Sequence, residues 1–256
     1  MTTVAILLAG GSGSRMRRAD NKVFADLLGR PLLVWSVDTF VRSPVVDHVV
    51  LVTRAGERRR VADVLVDHGT DGQVHLTTGG DTRQASEQAG LSALADLDAP
   101  AIDTVLIHDT ARPFPTTALV ERVTATARDI GGAVPALALG RGIHRSTDGG
   151  GLIAQPDDLY RVQTPQGFRA RPLLDAYRLA ARDGFAGVDT VATVQRYTSV
   201  AIAAVPGERD NIKVTFADDL DTARAIAARR GAASAAGGDA GDASGGDAGD
   251  RVPEGR

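Results

Sequence analysis

Five apolar residues, Val4 to Leu8, run without interruption into Ala9-Gly10-Gly11-Ser12-Gly13. A strand with no polar face has to be covered on both sides, and such strands belong to parallel sheets clad in helices. The glycines that follow let backbone N–H groups approach a phosphate closely. This stretch therefore predicts an α/β architecture and a ligand loop outside the carboxyl end of a strand.

The alternation continues along the chain. Apolar runs predict strands at 47–53, 74–77, 104–108, 132–136 and 199–205, with a short extended piece at 211–215. Helical patterns fall at 32–40, 57–68, 83–97, 116–128, 172–182 and 217–230. Pro31 opens the first of these near N1, and Leu91, Leu94 and Ala95 are expected to face inward on the third. Together they predict one domain, 1–230: an α/β fold built on a mostly parallel open sheet flanked by helices. Residues 137–164 lose periodicity and include Gly149-Gly150-Gly151, so they are expected to leave the sheet. Residues 231–256 are rich in Gly, Ala and Asp with no aromatic residue, and are expected to form a disordered tail.

Composition removes several function classes. The formal net charge is -3, and the tail accounts for it, with five acidic residues against two basic. The body is formally neutral, so no global basic field attracts nucleic acid, and an anion site has to be a local cluster. The absence of cysteine excludes disulfides, thiolate zinc sites and cysteine nucleophiles, and fits a reducing cytoplasm. No apolar run approaches the roughly 20 residues of a membrane span. The N-terminal apolar stretch has no basic residues before it and is expected to be a buried strand rather than a signal peptide.

Four segments carry candidate chemistry. The loop Leu8–Arg15 is not a P-loop, since no Gly-Lys-Ser/Thr follows, nor a dinucleotide fingerprint, since Met16 stands where Gly or Ala is needed. Arg15 and Lys22 bring two cations just past its glycines, a combination suited to a nucleoside triphosphate; the alternative is a surface loop with stray charges. Gly79-Gly80-Asp81-Thr82 precedes a helix start that Asp81 or Thr82 would cap. Arg83 and Ser86, one turn apart, would share a side of that helix. His108-Asp109-Thr110-Ala111-Arg112-Pro113 follows an apolar strand, which sets Asp109 at a carboxyl end, where it is suited to hold Mg²⁺ beside phosphate oxygens. Arg112 would pair with Asp109 or with a ligand. In Asp210-Asn211-Ile212-Lys213-Val214-Thr215, Ile212 and Val214 would face one way and Lys213 the other. By itself that lysine, like Asp189, reads as an ordinary solvated charge. His48, His68, His75 and His144 show no metal-ligand spacing.

In this order the segments resemble the 2-C-methyl-D-erythritol 4-phosphate cytidylyltransferase family, a branch of the Rossmann-like nucleotidyltransferases. The likeness runs from about Val4 to Ala228. It rests on Leu8 to Met16, on Lys22, on Gly79 to Ser86, on His108 to Pro113, on Gln163-Thr164-Pro165-Gln166-Gly167-Phe168 and on Asp210 to Thr215. The resemblance implies CTP contacts from Ala9, Gly10 and Gly11, from Gly79, Asp81, Arg83 and Ser86, and from Thr110. It implies that Arg15 and Lys22 stabilise charge on the α-phosphate and that Lys213 positions the attacking phosphate. It also implies a divalent metal, Mg²⁺, on Asp109 with Asp210, acceptor contacts from Arg112 and Asp189, and a homodimer built through a protruding arm at 137–164.

The acceptor side departs from the family pattern. An Asp-Thr pair expected after Pro135 is absent, since Ala136-Leu137-Ala138 follows. An expected arginine falls on Pro156, and Arg141, Arg145 or Arg161 are the candidates to replace it. A Thr-Asp-Asp/Glu element reads Val188-Asp189-Thr190. The expected reaction is therefore transfer of CMP from CTP to the methylerythritol phosphate. The rivals are transfer to ribitol 5-phosphate or another polyol phosphate, a sugar-1-phosphate enzyme using UTP or GTP, and a non-catalytic nucleotide-binding module.

Overall fold

The structure, a computed structural model, describes residues 1–11, 21–99, 101–140, 144–146, 152–154 and 158–238. Strand β1 (Thr2–Leu8) comes first, then a small hairpin of β2 (Asp26–Leu27) and β3 (Arg30–Pro31), then helix α1 (Leu32–Val41). β4 (His48–Thr53), α2 (Arg58–Asp67), β5 (Val74–Thr78) and α3 (Arg83–Ser92) follow, and then β6 (Ile102–Asp109) and α4 (Thr117–Ile130). β7 (Gly131–Ala138), β8 (His144–Ser146), β9 (Leu152–Ala154), β10 (Tyr160–Val162) and β11 (Gln166–Arg169) come next. The chain continues with α5 (Ala170–Asp183), α6 (Thr190–Tyr197), β12 (Ala201–Pro206) and α7 (Ala217–Gly238).

The main sheet is open and mostly parallel, as expected. β5, β4, β1 and β6 lie side by side and parallel. β11 pairs antiparallel with both β6 and β7, β10 pairs antiparallel further along β7, and β12 runs parallel to β7. Chain order reverses at β1: β4 and β5 build outward on one side and β6 on the other, which creates a switch-point crevice at the carboxyl ends.

Alternation along β1 explains the layers. Ala5 and Leu7 face a cluster with Val34, Val37 and Phe40 of α1 and Leu119, Val120 and Val123 of α4. Val4, Ile6 and Leu8 face the opposite cluster, with Leu91 of α3, Leu173 and Tyr177 of α5, and Val194 of α6. At about 25 cal/mol per Å² of apolar surface buried, these two faces hold the sheet between its helices. A third cluster docks Leu220, Ala223 and Ile226 of α7 onto Leu27 and Phe114.

Several elements differ from the sequence expectations. Pro31 is the N-cap of α1 rather than N1. Helix 83–97 tightens to a 3₁₀ turn after Ser92, which buries Ala93 and Leu94 and exposes Ala95. Leu137, Ala138 and Tyr160–Val162 remain in the main sheet, so the excursion is shorter than 137–164. Its described part is the antiparallel β8–β9 pair. Helix α7 runs on through Gly238, past the expected tail boundary; residues 239–256 lie outside the described residues. β10 and β11 had no clear periodic signal, because three- and four-residue strands carry too few alternations to read.

Candidate active site

The strand ends are in step. Leu8 lies abreast of Val52 on one side and Asp109 on the other, and Thr53 lies abreast of Thr78. Residues just beyond these ends therefore share one rim. That rim borders a cavity of about 730 Å³ lined by Gly10 and Gly11 after β1, Arg54 after β4, Gly79 and Asp81 after β5, and Asp109 at the end of β6. Lys22, Arg83, Ser86, Lys213 and Thr215 add polar side chains to its wall, and Val188 an apolar one. Sheet order acts as a ruler. With neighbouring strands about 4.8 Å apart, the glycines after β5 sit roughly 14 Å from Asp109.

Asp109 is the hub at the β6 end. Its Oδ2 is 2.5 Å from Lys213 Nζ and 3.6 Å from an Arg83 guanidinium nitrogen, and its Oδ1 accepts from the Ala111 N–H at 3.0 Å. Burial acts to raise its pKa, but Lys213, Arg83 and Lys22 outweigh it and hold the carboxyl well below the usual carboxylate range. Lys22 reaches the same place from the other side, donating from Nζ to the Val214 carbonyl at 2.8 Å. Arg83 also pairs with Glu87 at 3.0 Å, and Glu87, 1% exposed, accepts from Tyr177 at 2.5 Å and Thr190 at 2.9 Å. This buried carboxyl, its pKa raised by burial, anchors the arginine from beneath.

A hydrogen-bond relay fixes the Asp109 backbone. The Asp109 N–H donates to Thr164 Oγ1 at 3.1 Å, and Thr164 meets His108 Nδ1 at 3.1 Å. His108 Nε2 lies 3.0 Å from the Arg112 carbonyl, which can only accept, so Nε2 carries the proton. Burial pushes the His108 pKa down to about 3, so the ring stays neutral and serves as a strut.

At the opposite end the backbone comes close to the cavity. Thr82 caps α3, accepting from the Ala85 N–H at 3.0 Å, which leaves Asp81 to line the cavity. A Cβ added at Gly79 would lie 2.6 Å from Ser86 Oγ and 2.9 Å from Val52 Cγ1. Gly79→Ala is therefore expected to lower stability by about 1–3 kcal/mol in a denaturant titration. Gly56→Ala, with nothing within 4 Å, is expected to leave stability nearly unchanged.

The structure brings Gly10, Gly11, Lys22, Gly79, Asp81, Arg83, Ser86, Asp109 and Lys213 to one cavity. Arg15 lies outside the described residues. Ala9 and Thr110 are buried beneath the rim; Thr110 staples β6 to β1 through its hydroxyl on the Leu8 carbonyl at 2.9 Å. Three expected ligand residues are engaged elsewhere. Asp210 pairs with Arg229 of α7 at 2.6 Å and is not among the described residues that line the cavity with Asp109. Arg112 donates to the Asn211 carbonyl at 2.8 Å and the Val162 carbonyl at 3.3 Å, and burial lowers its pKa to about 10. Asp189 caps α6, accepting from the Ala192 N–H at 2.9 Å. Pro156, at the position of the missing arginine, lies outside the described residues; of the candidates to replace it, Arg161 is exposed on β10 and Arg141 lies outside the described residues. The side chain of Arg145 lies outside them too.

Arg54 is a site residue that the sequence reading missed. Its Nε donates to the Gly10 carbonyl at 3.1 Å, and it pairs with Glu57 at 3.7 Å. Its signal was there: it follows an apolar strand directly, as Ala9 follows β1. Asn21 closes the loop base, donating to the Ala9 carbonyl at 3.1 Å and to Glu57 at 2.7 Å. Among the described residues the cavity is thus lined by four cations and two carboxylates, a local positive excess in a chain of net charge -3. It is built for a polyanion.

Comparison with known proteins agrees with this geometry. The family model described as 2-C-methyl-D-erythritol 4-phosphate cytidylyltransferase matches residues 3–229. A protein of that name from Geobacillus kaustophilus is 36% identical over 90% of this chain and 99% of its own length. One from Bacillus velezensis is 34% identical over 88% and 96%. The crystal structure of the cytidylyltransferase of that name from Thermus thermophilus superposes with a TM-score of 0.72 at 30% identity, covering 89% of this chain and 99% of that one. The 4-diphosphocytidyl-2C-methyl-D-erythritol synthase structure from Anaerococcus prevotii gives 0.75 at 28% identity, covering 88% and 95%. A match that spans both β1 and α7, with the charged cavity between them, makes this chain a member of the 2-C-methyl-D-erythritol 4-phosphate cytidylyltransferase family.

Proposed function

We propose that the cavity at the carboxyl ends of β5, β4, β1 and β6 binds CTP lengthwise, with its base at the glycines and its phosphates at Lys22, Asp109 and Lys213. The enzyme is a cytidylyltransferase: it transfers CMP from CTP to 2-C-methyl-D-erythritol 4-phosphate, releasing pyrophosphate in isoprenoid precursor synthesis. One observation carries the assignment to this cavity. Lys22, Arg83, Asp109 and Lys213, distant in sequence, meet at one end, with close-packed backbone at the other.

The acceptor phosphate is already a nucleophile, so little base catalysis is required. The barrier comes from bringing two anions together and from charge growing at phosphorus. Fixed cations lower it by positioning and electrostatic stabilisation. Lys22, 8% exposed and tied to Val214, presents its ammonium without reorganisation. Lys213 is held by Asp109 where the acceptor phosphate has to arrive. Arg83, anchored by Glu87, adds a third positive group. At the far end, a pocket that fits a pyrimidine would reject a purine by size.

The donor set suits Mg²⁺. No group of three or more His, Cys, Asp or Glu is assembled among the described residues, so they offer no all-protein cage. The carboxylate of Asp109 at the cation-rich end of a polyanion cavity suits a metal that keeps waters and binds largely through phosphate oxygens. When bound beside Asp109, the ion would neutralise charge on the triphosphate. The same reading makes the enzyme a cytoplasmic homodimer joined through the segment that contains β8 and β9. No described helix is long and apolar enough to cross a membrane. Light scattering that reads a monomer would remove the dimer.

Pyrophosphate release should be measured with CTP, UTP or GTP against methylerythritol phosphate, ribitol 5-phosphate and a sugar 1-phosphate. The expected productive pair is CTP with methylerythritol phosphate. Faster turnover with another acceptor would replace the substrate, and no turnover with any pair would leave a binding module.

A further inference from the structure

We propose that Glu57 is a positioning residue for CTP, locking the backbone that presents Gly10, Gly11 and Lys22 to the nucleotide; this rests on the functional reading above. Glu57 is not among the described residues that line the cavity. It stands between β4 and α2 as the N-cap residue of α2, yet its side chain makes no capping hydrogen bond. The carboxylate turns instead to the base of the glycine loop. Its Oε2 accepts from Asn21 Nδ2 at 2.7 Å, and its Oε1 lies 3.7 Å from an Arg54 guanidinium nitrogen. Each of these partners in turn holds a loop carbonyl: Asn21 donates to Ala9 and Arg54 to Gly10, both at 3.1 Å. One carboxylate therefore ties together the two ends of the segment 10–21.

Held carbonyls set the donors that a nucleotide meets. A peptide unit is planar and trans, so its C=O and the following N–H point in opposite directions. Fixing the Ala9 carbonyl fixes the Gly10 N–H, and fixing the Gly10 carbonyl fixes the Gly11 N–H. Both glycines line the cavity, where backbone N–H groups serve an anionic ligand. Asn21 carries the same constraint to a cation. Its Oδ1 accepts from the Val23 N–H at 3.3 Å and caps the turn Lys22–Phe24. An asparagine amide has two N–H donors and an acceptor oxygen, and all three are used here. The Asn21 leg is the stronger of the two. Asn21 is 4% exposed, so its hydrogen bond to the carboxylate is sheltered, whereas Arg54 is 41% exposed and its ion pair is long.

The test compares steady-state rates with CTP and 2-C-methyl-D-erythritol 4-phosphate in wild type, Glu57→Ala and Glu57→Gln, together with thermal melting. Loss of a sheltered hydrogen bond to a charged group corresponds to roughly tenfold. Glu57→Ala is expected to raise KM for CTP by that factor and to leave KM for the acceptor unchanged. Lys22 keeps its own tie to Val214, so kcat should change less than KM for CTP. Glu57→Gln keeps the shape and an acceptor for Asn21, and should raise KM for CTP only about threefold. A merely structural role would lower the melting temperature with KM for CTP as in wild type, or would raise both KM values together. Either result overturns the proposal and leaves the functional reading intact. If Glu57→Ala does not fold, Glu57→Gln decides, and a wild-type KM for CTP in that variant overturns the proposal. Wild type that turns over no CTP with this acceptor sinks the functional reading, and this proposal with it.

Discussion

Lys22→Met lowers kcat for CMP transfer by about 10²–10³-fold and changes KM for CTP much less. The size follows from the geometry. The ammonium is almost fully buried, sits on the cavity wall and is oriented by the Val214 carbonyl. A cation held where charge develops acts without reorganisation, and loss of a comparable preorganised donor costs about 10²–10³-fold. Methionine keeps the length and apolar stem but leaves Val214 without this donor, a stability loss of about 1 kcal/mol. That is far too small to explain the kinetic loss, and a denaturant titration separates the two. Lys22→Arg should rescue poorly, because a planar fork does not occupy the place of a compact point charge. Turnover that survives Lys22→Met would remove this residue from the chemistry.

Asp109→Asn is expected to lower kcat by about 10²-fold or more and to raise the Mg²⁺ concentration needed for half-maximal rate by over tenfold. The carboxyl is held ionised well below its usual range, so the substitution removes a full charge. Lys213 and Arg83 then lose the anion they share. The second readout distinguishes a metal ligand from a mere counter-ion. Without a divalent ion, Asp109→Asn leaves the cavity more positive, so CTP affinity should not fall. If Asp109 only held Lys213 in place, the Mg²⁺ dependence would stay as in wild type. That result would end the metal assignment.

Much of the site was legible because its signals are local. A fully apolar strand that opens into glycines can be read at Val4–Gly11, and an aspartate ending an apolar strand at Asp109. The outcome at Asp81 and Thr82 was not. Both residues can cap a helix, and Thr82 does so. Arg112, Asp189 and Asp210 carry the right chemistry in the right motifs. Yet Arg112 and Asp210 are committed to partners that no local pattern names, the Asn211 carbonyl and Arg229 of α7, while Asp189 is taken up as the cap of its own helix α6. A charged side chain takes the best available counter-group, and that group lies elsewhere in the chain.

By itself, the order of apolar runs, glycines and helix caps determined an open, mostly parallel sheet with its ligand edge at the strand carboxyl ends. Those features depend on backbone conformation and on burial over a few residues. The tertiary structure alone decided that Leu8, Val52 and Asp109 end abreast. It also decided that Lys22 and Lys213 line one cavity and that Arg54 joins it. The reason is physical: strand register and side-chain partnership are set by packing between segments up to 192 residues apart, and no local window of sequence contains that packing.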